Sequence, residues 1–169
     1  IRTEYRWCFV KNNNIKKFPK SDLLNIETFF YEYLSSLIEA KKLTDTSSLE
    51  KIVEIITKVI RDKGIIYVAG NGGSHNIANH LHVDFFKGIS NQTNLFPKVI
   101  SLSSEGSLLT AVGNDIDFSE IFSFQLKGRI TNKDVFIAIS SSGNSPNIIK
   151  ALKIANELKA ETILFCGLK

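Results

Sequence analysis

The chain has 169 residues (18.9 kDa), 43% of them hydrophobic and 22% charged, ordinary values for one globular domain with a real core. Its formal charge of +4 and pI near 9.0 come from scattered lysines, with no basic block interleaved with aromatics, so nucleic acid is not the indicated partner. No apolar run is long enough to span a membrane, no signal peptide is visible, and Cys8 and Cys166 form no CxxC; a reducing, cytoplasmic setting is expected.

Residues 1–20 mix aromatics, an Asn12-Asn13-Asn14 run and basic residues without periodicity, and read as an extension preceding a single domain over 21–169. Ser21 can cap a helix running through Leu24, Ile26, Phe29, Phe30, Tyr33, Leu34 and Leu37. A second helix follows Thr46-Ser47-Ser48, with Leu49, Ile52, Ile55, Ile56 and Val59 on one face, and stops at Lys63-Gly64. Ile65–Ala69 is a continuous apolar run, the mark of a strand covered on both faces. The spacing then predicts a helix from Ser74 to about Lys87 and a strand at Val99–Leu102. A helical turn at 108–112 and a helix over 118–126 precede a third strand at Asp134–Ile139. Pro146 suits the first turn of a helix through Ile148, Ile149, Leu152, Ile154 and Leu158, and Thr162–Phe165 is a fourth strand, a buried one in which Cys166 is expected to lie. Alternating strands and helices imply an α/β fold with a parallel, doubly wound sheet and added N-terminal helices. The chain starts at Ile1, has no methionine and stops at Lys169 just after a predicted strand. A start residue and a further C-terminal helix covering the sheet are therefore expected outside it.

Two strand-to-helix turns stand out, Gly70-Asn71-Gly72-Gly73-Ser74 and Ser140-Ser141-Ser142-Gly143-Asn144-Ser145-Pro146. Such turns aim bare N–H groups and a helix N-terminus at what lies beyond the strand ends, which favours an anion. The second adds serine hydroxyls and an asparagine, all neutral donors, and the pair suits a polyol carrying a phosphate. A nucleotide fits less well, because neither a P-loop nor Gly-x-Gly-x-x-Gly is present. The plain alternative is that each turn only joins a strand to a helix.

All three histidines, His75, His80 and His82, fall in the helix after the first turn. Ile77, Ala78, Leu81 and Phe85 form its expected buried face. Asp84 lies roughly 20° from Ile77 at 100° per residue, so its carboxylate is expected to be partly desolvated, with its pKa raised toward that of a general base. His80 and Asp84, four apart, are surface neighbours that can share a divalent metal or simply form a solvated pair. His82 is expected in solvent, and His75 can face a ligand from the helix N-terminus. Asn114-Asp115, after Gly113, read as a turn and helix cap, or as groups for sugar hydroxyls.

In order, GNGGSH, HLHVDFFKG, LLTAVGND and ISSSGNSPN resemble the sugar isomerase (SIS) domain, closest to its bacterial phosphoheptose isomerase branch, from about Phe30 to Lys169. The resemblance implies a flavodoxin-like three-layer sandwich. It also implies isomerisation of sedoheptulose 7-phosphate to D-glycero-D-manno-heptose 7-phosphate through an enediol(ate), for lipopolysaccharide synthesis. On that likeness Asn71, Gly72, Gly73, Ser74, Asn114 and Asp115 contact substrate, while Ser140, Ser141, Ser142 and Ser145 hold its phosphate. His80 and Asp84 ligate one zinc ion per subunit, and Asp84 is the base. The family has glutamate where Asp84 stands here, a departure that a small helix shift, a different phosphosugar or lost activity would each accommodate. The family's C-terminal helix supplies a glutamine and a histidine completing the metal site and the acid/base pair, and its sites lie at subunit interfaces, so a homotetramer is implied. A non-catalytic phosphosugar-binding module remains the other class, since related domains serve as sensors.

Overall fold

A computed structural model describes residues 25–167. Asn25 caps α1 (Ile26–Leu43), its Oδ1 accepting from the N–H groups of Glu27 and Thr28 at 3.1 and 3.2 Å. The expected cap, Ser21, lies outside the described residues together with Leu24, Cys8 and the 1–20 extension. Asp45 begins α2 (Thr46–Arg61) by accepting from the Ser47 N–H at 3.0 Å. Lys63, with a left-handed φ of 59°, turns the chain out of α2 into β1 (Ile65–Gly70).

From there strands and helices alternate: α3 (Gly73–Val83), β2 (Lys98–Ser101), α5 (Gly106–Asp115), β3 (Val135–Ile139), α7 (Pro146–Glu157) and β4 (Glu161–Phe165). Between α3 and β2 the helix continues as a π-helical segment, Asp84–Ile89, and a last α-turn, α4 (Ser90–Gln92). The predicted helix over 118–126 is instead a 3₁₀ turn (Phe118–Glu120) and α6 (Ser123–Lys127). Cys166, expected within the buried fourth strand, sits just past the end of β4 and is half-buried.

All strand pairs are parallel, in the order β2-β1-β3-β4. The chain winds outward from β1 to β2, then returns to the other side of β1 for β3 and β4. The switch point therefore lies between the carboxyl ends of β1 and β3, where ligands of such sheets bind. Both sheet faces are covered, as the unbroken apolar strands require. Ile52 and Val59 of α2 and Ala78 of α3 pack on Ile66, Val68, Val135, Ile137 and Ile163. On the opposite face Val112, Leu126, Ile148, Ala151 and Leu152 pack on Tyr67, Phe136, Ala138 and Leu164. The result is the three-layer, doubly wound α/β architecture that the strand pattern implies. No helix among the described residues is long and apolar enough to cross a membrane.

Candidate active site

Gly70, last residue of β1, pairs with Ile139, last residue of β3, so the two conspicuous turns leave the sheet side by side. At Gly70 a side chain is excluded: a Cβ there would stand 2.5 Å from the Ser74 carbonyl oxygen. The buried Ser103 hydroxyl fastens the same residue, accepting from the Gly70 N–H at 3.1 Å and donating to its carbonyl at 3.0 Å. Gly72 then adopts φ 52° and ψ −122°, a conformation suited to glycine, and starts α3. The Asn71 carbonyl accepts from the Ser74 N–H at 2.9 Å. The N–H groups of Gly72 and Gly73 take no partner among the described residues, which leaves two donors at the helix N-terminus for an anion.

The serine loop is built differently. The Ser140 hydroxyl is buried, accepts from the Gly143 N–H at 3.2 Å and lies 3.3 Å from the Ser145 hydroxyl, so it braces the turn. Ser141 and Ser142 are exposed. Ser145 occupies the N-cap of α7, yet its side chain makes no capping bond, and Pro146 supplies no N–H at the next position. A half-buried hydroxyl and a helix N-terminus thus face the same space as Asn71. Asn147 joins the two loops through a pair of amide–amide hydrogen bonds with Asn71, at 2.8 and 3.0 Å.

His80 and Asp84 lie farther along the helix that leaves the first loop, about 10 Å along the axis from Gly73 to His80. His80 Nε2 stands 3.4 Å from Asp84 Oδ2, confirming that the two are neighbours. The expected burial of Asp84 is not observed: its side chain is 63% exposed and that of His80 76%. The helix packs through Ala78, Leu81 and Phe85, while Asn79 accepts from the Ser101 hydroxyl of β2 at 2.6 Å. With the helix packed on the sheet in this way, Ile77 is left 56% exposed, and Asp84, its neighbour on the helical wheel, is exposed with it. In the single chain the Asp84 carboxylate is therefore solvated. Asp84 also opens the π-helical segment, whose wider turn ends the regular wheel used to place side chains beyond it. His82 is half-buried rather than in solvent, edge-on to Phe86 with ring centroids 6.3 Å apart, and His75 is half-buried in the first turn.

The donor chemistry of His80 and Asp84 fits half a zinc site. Two donors each about 2.1 Å from a tetrahedral ion stand about 3.4 Å apart, the separation found here. No third His, Cys, Asp or Glu joins them among the described residues. Asn114 and Asp115 form the end of α5 rather than a turn before a helix, and the Asn114 amide donates to Asp115 Oδ1 at 2.7 Å. They lie about 12–14 Å of helix beyond the start of α5, and no hydrogen bond ties them to the two loops. Sequence reasoning passed over Ser103 and Asn147. The one visible signal was a polar residue at the second position of α7, ahead of its apolar face.

A parallel doubly wound sheet with paired glycine and serine loops at its switch point defines a small-molecule-binding α/β domain. The SIS domain family model matches residues 29–167, and the chain belongs to that family. It is 37% identical over 123 residues to a phosphoheptose isomerase of Thermodesulfovibrio yellowstonii, covering 73% of this chain and 61% of the relative. With the phosphoheptose isomerase of Syntrophotalea carbinolica it shares 33% over 142 residues, covering 84% of this chain and 71% of that one. Among solved structures, the phosphoheptose isomerase of Neisseria gonorrhoeae superposes with a TM-score of 0.72 at 31% identity, over 83% of this chain and 73% of that chain. That of Francisella tularensis gives 0.75 at 26% identity, over 85% and 75%. The chain thus spans roughly two thirds of the length of these curated relatives, 61% of the first and 71% of the second.

Proposed function

We propose that the protein is an aldose–ketose isomerase acting on sedoheptulose 7-phosphate to form D-glycero-D-manno-heptose 7-phosphate, a heptose precursor for lipopolysaccharide. The observation that supports this most directly is the juxtaposition of the Asn71–Gly73 turn and the Ser140–Ser145 loop, next to a helix bearing His80 and Asp84. In this reading Ser141, Ser142 and Ser145, with the free N–H groups of Gly72 and Gly73, bind the phosphate, and Asn71 and Ser74 take sugar oxygens. Asn114 and Asp115 contribute from the end of α5, in the assembled protein. Holding the phosphate fixes the reacting carbons against the base, which is where remote binding energy serves catalysis. Asp84 removes a proton from C1 of the ketose as negative charge develops on the C2 oxygen, then returns it to C2. A hydroxyl proton passes from O1 to O2, leaving the aldehyde at C1. His80 and Asp84 would hold a divalent ion, zinc by preference, whose chemistry when bound is Lewis-acid polarisation of the adjacent sugar oxygens. The exposed apolar side chains of Ile77, Val83 and Phe86 around this pair support a site completed between subunits; in this reading the assembly is a homotetramer and works in the cytoplasm.

The test is turnover of sedoheptulose 7-phosphate by the full protein supplied with zinc, followed by NMR of the aldose product, with Asp84→Asn as control. Absence of aldose from a protein that still binds the phosphosugar in calorimetry would turn the reading to a phosphosugar-binding module.

A further inference from the structure

The two loops of the proposed site are joined by one side chain that solvent scarcely touches. Asn147, the second residue of α7, is 1% exposed. Its Oδ1 accepts from the Ile148 backbone N–H at 2.9 Å and from Asn71 Nδ2 at 2.8 Å, while its own Nδ2 donates to Asn71 Oδ1 at 3.0 Å. The Ile148 N–H can only donate, so the Asn147 atom it meets must be the oxygen, which fixes the orientation of that amide. Asn147 then fixes Asn71 in turn, because a flipped Asn71 amide would set donor against donor and acceptor against acceptor. Asn71 is left with one N–H and one oxygen lone pair facing outward, in a known orientation, on the turn that opens α3.

We propose that Asn147 is a positioning residue that sets which atom of the Asn71 amide faces the ligand and locks the first loop to the serine loop. This rests on the isomerase reading and extends it. The sugar end of the site takes its register from the phosphate end through a buried amide pair, with no contact between Asn147 and substrate.

The experiment is a double-mutant cycle on the full protein with Asn147→Ala, Asn71→Ala and the double variant. Asn147→Ala should lower kcat by about 10- to 100-fold, the cost of a small misplacement of reacting groups, with little change in inhibition by inorganic phosphate. The double variant should be no slower than Asn71→Ala alone, because the two residues act as a unit. Additive losses, or an unchanged kcat in Asn147→Ala, overturn the proposal. Side-chain amide NMR gives a readout independent of turnover. The Asn71 NH₂ signal, assigned by its loss in Asn71→Ala, should show one protected proton in the wild type and lose that protection in Asn147→Ala. Asn147→Asp, which keeps the shape but turns an acceptor toward Asn71 Oδ1, gives the same comparison if the alanine variant does not fold. A wild-type protein with no turnover but a protected, Asn147-dependent Asn71 amide removes the isomerase reading and keeps the coupling; an Asn71 signal indifferent to residue 147 removes the coupling.

Discussion

At Asp84 the carboxylate stands one methylene nearer its own backbone than a glutamate would, and a base must come within about 3 Å of the proton it takes. Two things can make up that reach: the path of the helix, which turns π-helical at this residue, or a substrate seated deeper. Asp84→Asn keeps the shape and removes the proton acceptor, so kcat should fall about 10²–10⁴-fold while phosphate binding persists. Wild-type turnover in Asp84→Asn at full metal occupancy would remove this side chain from the mechanism. Asp84→Glu separates the two explanations. Tolerated or improved turnover of sedoheptulose 7-phosphate marks a slightly retracted base, and a loss marks a pocket shaped around aspartate for another phosphosugar. The serine loop makes its own demand at this scale. Ser142→Ala with Ser145→Ala should raise KM strongly, each hydrogen bond lost to a charged group being worth roughly 1.5–3 kcal/mol. The fold should be little affected, since Ser142 is exposed and Ser145 caps nothing with its side chain. Calorimetry that finds the phosphosugar bound as tightly as before would exclude this loop as the phosphate site.

Between elements, the clearest ionic fastening ties the 3₁₀ turn and α6 to α7 through Glu120. Its carboxylate accepts from the Ser123 hydroxyl and from Lys150 of α7 at 2.9 Å, with Lys127 at 3.4 Å. The Ser123 hydrogen bond first, and then Lys150, hold the Glu120 carboxyl down to about 2 from its ordinary 4.5. A depressed folded-state pKa means stabilisation that is present above about pH 4.5 and lost as the pH falls toward about 2. Urea midpoints at about pH 6 and about pH 3 should therefore differ less in Glu120→Gln than in the wild type; an equal drop in both would assign the acid sensitivity to other groups. The link to Lys150 was not legible beforehand, because Glu120 and Lys150 meet only once the 3₁₀ turn and α7 pack together, whereas Glu120 and Ser123, three residues apart, meet locally. The strands were legible, since runs such as Ile65–Ala69 and Val135–Ile139 are apolar without alternation, and only a doubly covered sheet has a use for that. The loops were legible for a related reason: a glycine beside Ser74 and a proline at the start of α7 are punctuation that local backbone geometry demands. The orientation of α3 was not, because Ile77 and Leu81 are equally apolar on a wheel and only packing against the sheet, chiefly β1, decides which of them turns inward.

For the whole molecule, the first helix is what a single chain leaves unexplained. No residue of α1 with a described side chain is buried, and Ile26, Phe30, Tyr31, Leu34, Leu37 and Ile38 are all exposed, Phe30 at 60% and Leu37 at 49%. Helices in proteins are held chiefly by packing an apolar face rather than by intrinsic propensity. A row of large apolar side chains on such a helix is a surface to be covered. In the tetramer proposed above, its cover would be the same helix of another subunit, and the assembly that buries it would also close the open, solvent-facing site around His80 and Asp84. Phe30→Glu with Leu37→Glu places charges in that contact while leaving the sheet and both loops untouched. Light scattering should then show a smaller species, and turnover should fall with the mass even though the far-UV circular dichroism of the α/β core is retained. A variant that keeps its full mass and activity would show that α1 is not the contact on which the site depends.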